Sequence, residues 1–255
     1  MSSSAVRRER IDGTIDLITI DRPPVNALPP ADWAAALDEV TASSDDVDVR
    51  AVVITGGASR FCAGADIRSL TEADPDDDRA QMLTVVARLA AAIRSHRAPV
   101  IAAIDGPAHG GGLELALACD LRIASPAASF AAAGINMGLV ASVGSLVESI
   151  GDARARRMLL TADRITTDQA LAWGLITDVA DAPLDAAMEL ARRISTKAPL
   201  AVESTKHAIN QVATLDAGAH DELMRNRFAD LADSNDHHEA LAAFLEKRPG
   251  TFTRT

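Results

Sequence analysis

The chain has 255 residues, 48% of them hydrophobic and 24% charged, with a formal net charge of −11. That is enough apolar material for a sizeable core, and too acidic a balance for general nucleic-acid binding, which needs a basic surface that releases counterions. No apolar run is long enough to suggest a membrane span, and the segment Met1–Arg10 lacks a secretory apolar core, so a cytoplasmic location is expected. Cys62 and Cys119 form no Cys-x-x-Cys pair, and the acidic stretches have no coordinating spacing, so no metal site is expected. Both thiols read as small buried residues.

In chain order, Thr14–Ile20 alternates polar and apolar residues and predicts a strand that ends in the proline-stiffened loop Asp21-Arg22-Pro23-Pro24-Val25-Asn26. An amphipathic helix is expected over Ala31–Ala42. The run Arg50–Thr55 is apolar and β-branched, as in a strand buried on both faces. It leads into Gly56-Gly57-Ala58-Ser59-Arg60-Phe61-Cys62-Ala63-Gly64-Ala65-Asp66-Ile67. The small residues here let a ligand approach backbone amides at a strand's carboxyl end, although an ordinary tight connection would look the same. The acidic segment Thr71–Asp78 reads as a solvated, mobile loop. A helix follows over Gln81–Arg94, then strands over Pro99–Ile104 and Leu121–Ala124. From Asp152 the chain reads as helical, over Ala153–Leu160, Thr167–Trp173, Pro183–Thr196, Leu200–Val212, Leu215–Leu231 and Asp236–Leu245.

The stretch with most chemical content is His109-Gly110-Gly111-Gly112-Leu113-Glu114. Three glycines open into an apolar helical run, so a helix start presents its backbone donors to a developing negative oxygen. Glu114 lies three residues after Gly111 and can share its face. A capping glutamate and a close-packing glycine triplet would give the same letters. The apolar setting Gly-Leu-Glu-Leu-Ala-Leu-Ala, in which an unpaired carboxylate is costly, favours a chemical role.

Four stretches in order, Arg22-Pro23-Pro24-Val25-Asn26-Ala27-Leu28, Phe61-Cys62-Ala63-Gly64-Ala65-Asp66-Ile67, Gly110-Gly111-Gly112-Leu113-Glu114-Leu115-Ala116 and Phe244-Leu245-Glu246-Lys247-Arg248-Pro249, resemble the motifs of the crotonase family, the enoyl-CoA hydratase/isomerase superfamily. The resemblance implies an α/β, crotonase-like fold of repeated ββα units with a C-terminal helical region. Residues 1–195 would form the core and 196–255 the part that covers CoA and builds homotrimers or dimers of trimers. It implies an acyl-CoA thioester as partner, with coenzyme A entering as part of the substrate and no tightly bound cofactor.

By position, the family's two oxyanion amides fall on Ala65 and Gly111. Its CoA contacts fall on Pro24, Val25, Ala63, Ala65, Asp66, Ile67 and Gly111, with Lys247 reaching the phosphates and Phe244 near the adenine. Proline stands at position 24 where related sequences often carry a lysine. Glu114 matches the carboxylate that handles water in hydratases. A second glutamate is expected after Phe130, where this chain has Ala133-Gly134, and losing such a group costs about 10²–10⁴-fold in rate. His109 is either a helper or packs behind the loop, while Asp120 and Asp66 read as structural. The expected activity is hydration of a 2-enoyl-CoA. Alternatives are another acyl-CoA lyase, decarboxylase or isomerase reaction, or acyl-CoA binding without turnover.

Overall fold

The computed structural model describes residues 5–57, 60–72 and 77–255. In chain order the elements are β1 (Val6–Ile11), β2 (Ile15–Ile20), β3 (Ala27–Leu28), α1 (Pro30–Asp45), β4 (Ala51–Gly56), β5 (Gly64–Ala65), α2 (Ile67–Glu72), α3 (Asp77–Ser95), β6 (Val100–Ile104), β7 (Pro107–His109), α4 (Gly111–Ala118), β8 (Leu121–Ala124) and β9 (Ser129–Ala131). A 3₁₀ turn, Ala133–Met137, then leads to α5 (Val143–Ile150), α6 (Asp152–Thr161), β10 (Ile165–Thr166), α7 (Thr167–Trp173), β11 (Asp178–Val179), α8 (Pro183–Ser195), α9 (Pro199–Gln211), α10 (Ala217–Ala232) and α11 (Asn235–Glu246).

The main sheet has the order β1-β2-β4-β6-β8-β11, with β1 antiparallel to β2 and the remaining neighbours parallel. Its two central strands are apolar almost throughout because both faces are covered. Val52, Ile54, Val100, Ala102 and Ile104 join the core under α1, α3 and α4, whereas Ala51, Val53, Ile101 and Ala103 face Ala187, Met188 and Ala191 of α8. A smaller sheet pairs β7 with β9 and β9 with β10, and β3 pairs with β5 alone.

Three local expectations change. β1 went unread because its sequence, Val-Arg-Arg-Glu-Arg-Ile, has no clean apolar alternation. What orders it is Asp16 on β2, with a side chain only 1% exposed, which accepts from Arg8 at 3.0 Å and Arg10 at 2.6 Å. Burial alone would raise the Asp16 carboxyl, but hydrogen bonds from Arg10, Ser43 and Arg8 outweigh it and hold the group below its ordinary value. Helix begins before Asp152, since α5 buries Leu146 and Ile150 on one face despite Gly144. The acidic segment is helical at both ends, in α2 and α3. Its residues 73–76 lie outside the described ones, as do Ala58 and Ser59 of the glycine loop.

Candidate active site

The site is built from two backbone segments that run side by side. Cys62 forms a parallel bridge with Ala108, its amide donating to the Pro107 carbonyl at 3.0 Å and its carbonyl accepting from His109 at 3.1 Å. Three residues further along each segment come Ala65 and Gly111, so this register brings their amides to the same end of the pair. Side chains would prevent the approach. A Cβ on Gly64, whose φ is +103°, would lie 2.8 Å from the His109 carbonyl oxygen and 3.0 Å from the Gly111 nitrogen. One on Gly112 would fall 1.9 Å from the Cys62 carbonyl oxygen.

Both amides are directed outward by their own secondary structure. The Asp66 amide donates to Leu28 at 2.9 Å, and because donors alternate along a strand, the Ala65 N–H points away from β3 into the open side of β5. Gly110 caps α4 with φ +51°, and the Glu114 amide closes the first turn on its carbonyl at 3.1 Å. Gly111 is therefore the first residue of the helix, where an N–H has no partner within the helix. The buried Trp33 ring backs it, 3.0 Å from where a Gly111 Cβ would stand, and is itself fixed by donation from Nε1 to the Leu28 carbonyl at 3.1 Å.

Glu114 is the fourth residue of α4, one position beyond the one a capping box uses, and α4 has no side-chain cap. The capping reading of Glu114 therefore fails, while the close-packing reading of the glycines holds. The Glu114 carboxylate is half-buried and makes no hydrogen bond or ion pair among the described residues. It lies one turn from the Gly111 amide on the same helix, within reach of a group held there.

His109 does pack behind the loop: its Nε2 lies 3.0 Å from the Ser129 hydroxyl, and burial, with Arg164 nearby, lowers its pKa and keeps it neutral at pH 7. Cys62 and Cys119 are free and buried, and burial pushes both thiols up to about 12. Asp120 joins the Val100 amide and the buried Lys206 ammonium, each at 2.7 Å, and Asp66 accepts from the Arg68 amide in a turn.

Two clamping residues went unread as such. Asn26 sends its side-chain amide to the Ile20 and Phe61 carbonyls, 2.9 Å each, and the Ala63 amide donates to Val25 at 3.1 Å, locking the proline loop onto the glycine loop. The signal for Asn26 was an asparagine closing a turn, here at φ +54°, which asparagine tolerates. Trp33 looked like any core aromatic. Pro24, Val25, Ala63 and Ile67 thus share one rim with Ala65. Phe244 and Lys247 do not join it by any hydrogen bond or ion pair among the described residues, and Phe244 is 82% exposed.

Gly134 lies in the 3₁₀ turn beyond β9. Its neighbour Ala133 sits 4.0 Å from where a Cβ on Gly110 would be, which places the turn next to the start of α4. An apolar cleft of about 300 Å³ opens here, lined by Gly134, Ile135, Leu139, Val140 and Val143 among others. Its one acidic lining residue, Asp152, pairs with Arg156 at 2.7 Å. Among the described residues no group of His, Cys, Asp and Glu is arranged to hold a metal ion, and no helix is long and apolar enough to cross a membrane.

The chain is similar to known proteins over nearly its whole length. It is 35% identical to a 2,3-dehydroadipyl-CoA hydratase of Escherichia coli K12, covering 99% of each chain, and 33% identical to a short-chain-enoyl-CoA hydratase of Clostridium acetobutylicum, covering 93% of each. The fold superposes on the crystal structure of an enoyl-CoA hydratase from Bacillus anthracis with a TM-score of 0.94 at 27% identity, over 98% of this chain and 100% of the other. The family model for enoyl-CoA hydratase/isomerase matches residues 10–255, and the chain belongs to that family of enzymes.

Proposed function

We propose that the protein hydrates a 2-enoyl-CoA thioester, with Ala65 and Gly111 as the oxyanion donors and Glu114 as the acid/base. The observation that carries this reading is the Cys62–Ala108 register, which sets two outward-facing amides together one helical turn from an unpartnered carboxylate. The thioester oxygen accepts from both N–H groups, which polarises the conjugated double bond. Glu114 takes a proton from water as its oxygen bonds to C3, and the electron pair of the double bond passes to the thioester as an enolate. The amides stabilise that oxygen, and removing one donor from such a pair costs about 10²–10³-fold. With Gly134 in place of a second acid, Glu114 returns the proton it took to C2, which balances the addition with one carboxylate.

The nucleotide end lies over Pro24, Val25, Ala63, Asp66 and Ile67. Phe244 and Lys247 close over it from the helical region 196–255, which also builds a homotrimer or a dimer of trimers. In support, α10 buries no residue of its own and leaves Phe228 75% exposed. The test is loss of enoyl-thioester absorbance with crotonyl-CoA and a longer 2-enoyl-CoA. Glu114→Gln is expected to lose about 10²–10⁴-fold in kcat, and full activity in that variant refutes the assignment. Gly134 itself favours a second reading, either a different enolate reaction or acyl-CoA binding without turnover. Saturable binding with no hydrate among the products selects it.

A further inference from the structure

Arg60 is a charged group without adequate partners. It follows β4 at the carboxyl end of the parallel strands, the edge at which open α/β sheets take ligands. Its side chain is 21% exposed, its Nη1 is buried with no hydrogen-bond partner, and the guanidinium makes no hydrogen bond among the described residues. Its nearest carboxylate oxygen, on Asp21, is 3.9 Å away, beyond hydrogen-bond range, and Asp21 is equally distant from Arg7. The two donors of a buried Nη1 left this way are costly, and a native structure keeps such a group for a reason.

The surroundings indicate the reason. Two arginines near it are engaged, Arg22 with Asp32 at 2.8 Å and Arg7 with Glu9 at 3.0 Å. The Arg60 backbone is fixed by close contact, since a Cβ on Gly56 would fall 1.8 Å from its carbonyl oxygen, and Asn26 ties the next residue, Phe61, to the proline loop. Arg60 therefore stands at the junction of the two loops that carry Pro24, Val25 and Ala63, with its side chain nearest Asp21 at the start of the first loop.

We propose that Arg60 is the phosphate anchor of this site, supplying to the nucleotide of the CoA thioester the cation that position 24 lacks. A guanidinium suits this task because its planar fork pairs two donors with two phosphate oxygens. The inference rests on the acyl-CoA reading above and extends it to a residue.

Calorimetric titration of the full-length protein with CoA and with 3′-dephospho-CoA tests it, on wild type, Arg60→Met and Arg60→Lys. CoA binding is expected to weaken about tenfold or more in Arg60→Met, as for loss of a charged hydrogen bond. Arg60→Lys should fall between the two, and the melting temperature of Arg60→Met should be equal or higher, because the fork satisfies nothing within the fold. If 3′-dephospho-CoA shows the same loss, the pyrophosphate is the partner; if the loss disappears, it is the 3′-phosphate. Arg60→Met binding CoA within twofold of wild type overturns the anchor alone. Wild-type protein that binds no CoA overturns the acyl-CoA reading and the anchor with it, and weaker binding that only tracks a fall in melting temperature shows a structural residue.

Discussion

The two sides of the candidate site are built in opposite ways. Around Ala65 and Gly111 nearly every position is constrained: Gly64 and Gly112 admit no side chain, Trp33 backs the helix start, and Asn26 ties the loops together. Around Gly134 the turn buries none of its residues, and it opens onto an apolar cleft with no unpaired acid among its lining residues. The contrast is what the proposed chemistry would require of each side. Stabilising an enolate requires two dipoles held in advance and within tenths of an ångström, so backbone geometry must be enforced by packing. Choosing where a proton goes depends on single side chains, which can be lost without disturbing the fold.

This contrast can be broken first on its rigid side. Gly112→Ala drives a methyl into the Cys62 backbone. It should bring turnover of a 2-enoyl-CoA below detection and lower the melting temperature, since overpacking a fitted contact costs about 1–3 kcal/mol or more. Gly64→Ala adds strain at φ +103° and presses on the His109 carbonyl. Displacing the neighbouring Ala65 amide should lower kcat about 10²–10³-fold, and steady-state kinetics beside a melting curve would separate the chemical loss from unfolding.

The Gly134 side should respond in the other direction. A Cβ at Gly134 would meet the Leu139 carbonyl at 3.2 Å and Ala141 Cβ at 3.4 Å, a tight but adjustable fit. Gly134→Glu is therefore expected to fold and to raise the hydration rate by part of the roughly 10²–10⁴-fold that a positioned acid or base supplies. A rate equal to wild type would mean that the turn does not aim the new carboxylate at C2. The smallest effect concerns Cys62. It lies inside the rigid segment with its thiol pushed up to about 12 by burial, so it stays protonated at pH 7–8. A neutral-pH thiol reagent followed by mass spectrometry should leave it unmodified in the folded protein and label it only after denaturation.

How much of this was readable in the sequence differs between elements for physical reasons. β4 and β6 were legible as apolar runs because both faces are covered. β1 was not, because cross-strand pairing of Arg8 and Arg10 with Asp16 leaves no period along the strand itself. The start of α4 was legible from its glycines, yet the same letters also fitted a cap, and only the position of Gly110 as the capping residue decided between them.

The sequence by itself determined the α/β class, the order of the four motifs and the identities of Glu114 and Gly134, since these depend on local spacing and residue type. Tertiary structure alone decided that Ala65 and Gly111 share one end of a paired backbone, that Asn26 and Trp33 hold it, and that the Arg60 guanidinium is left without a hydrogen bond among the described residues. Each of these facts joins segments tens of residues apart. Whether a buried donor finds a partner is settled only when distant parts of the chain pack together.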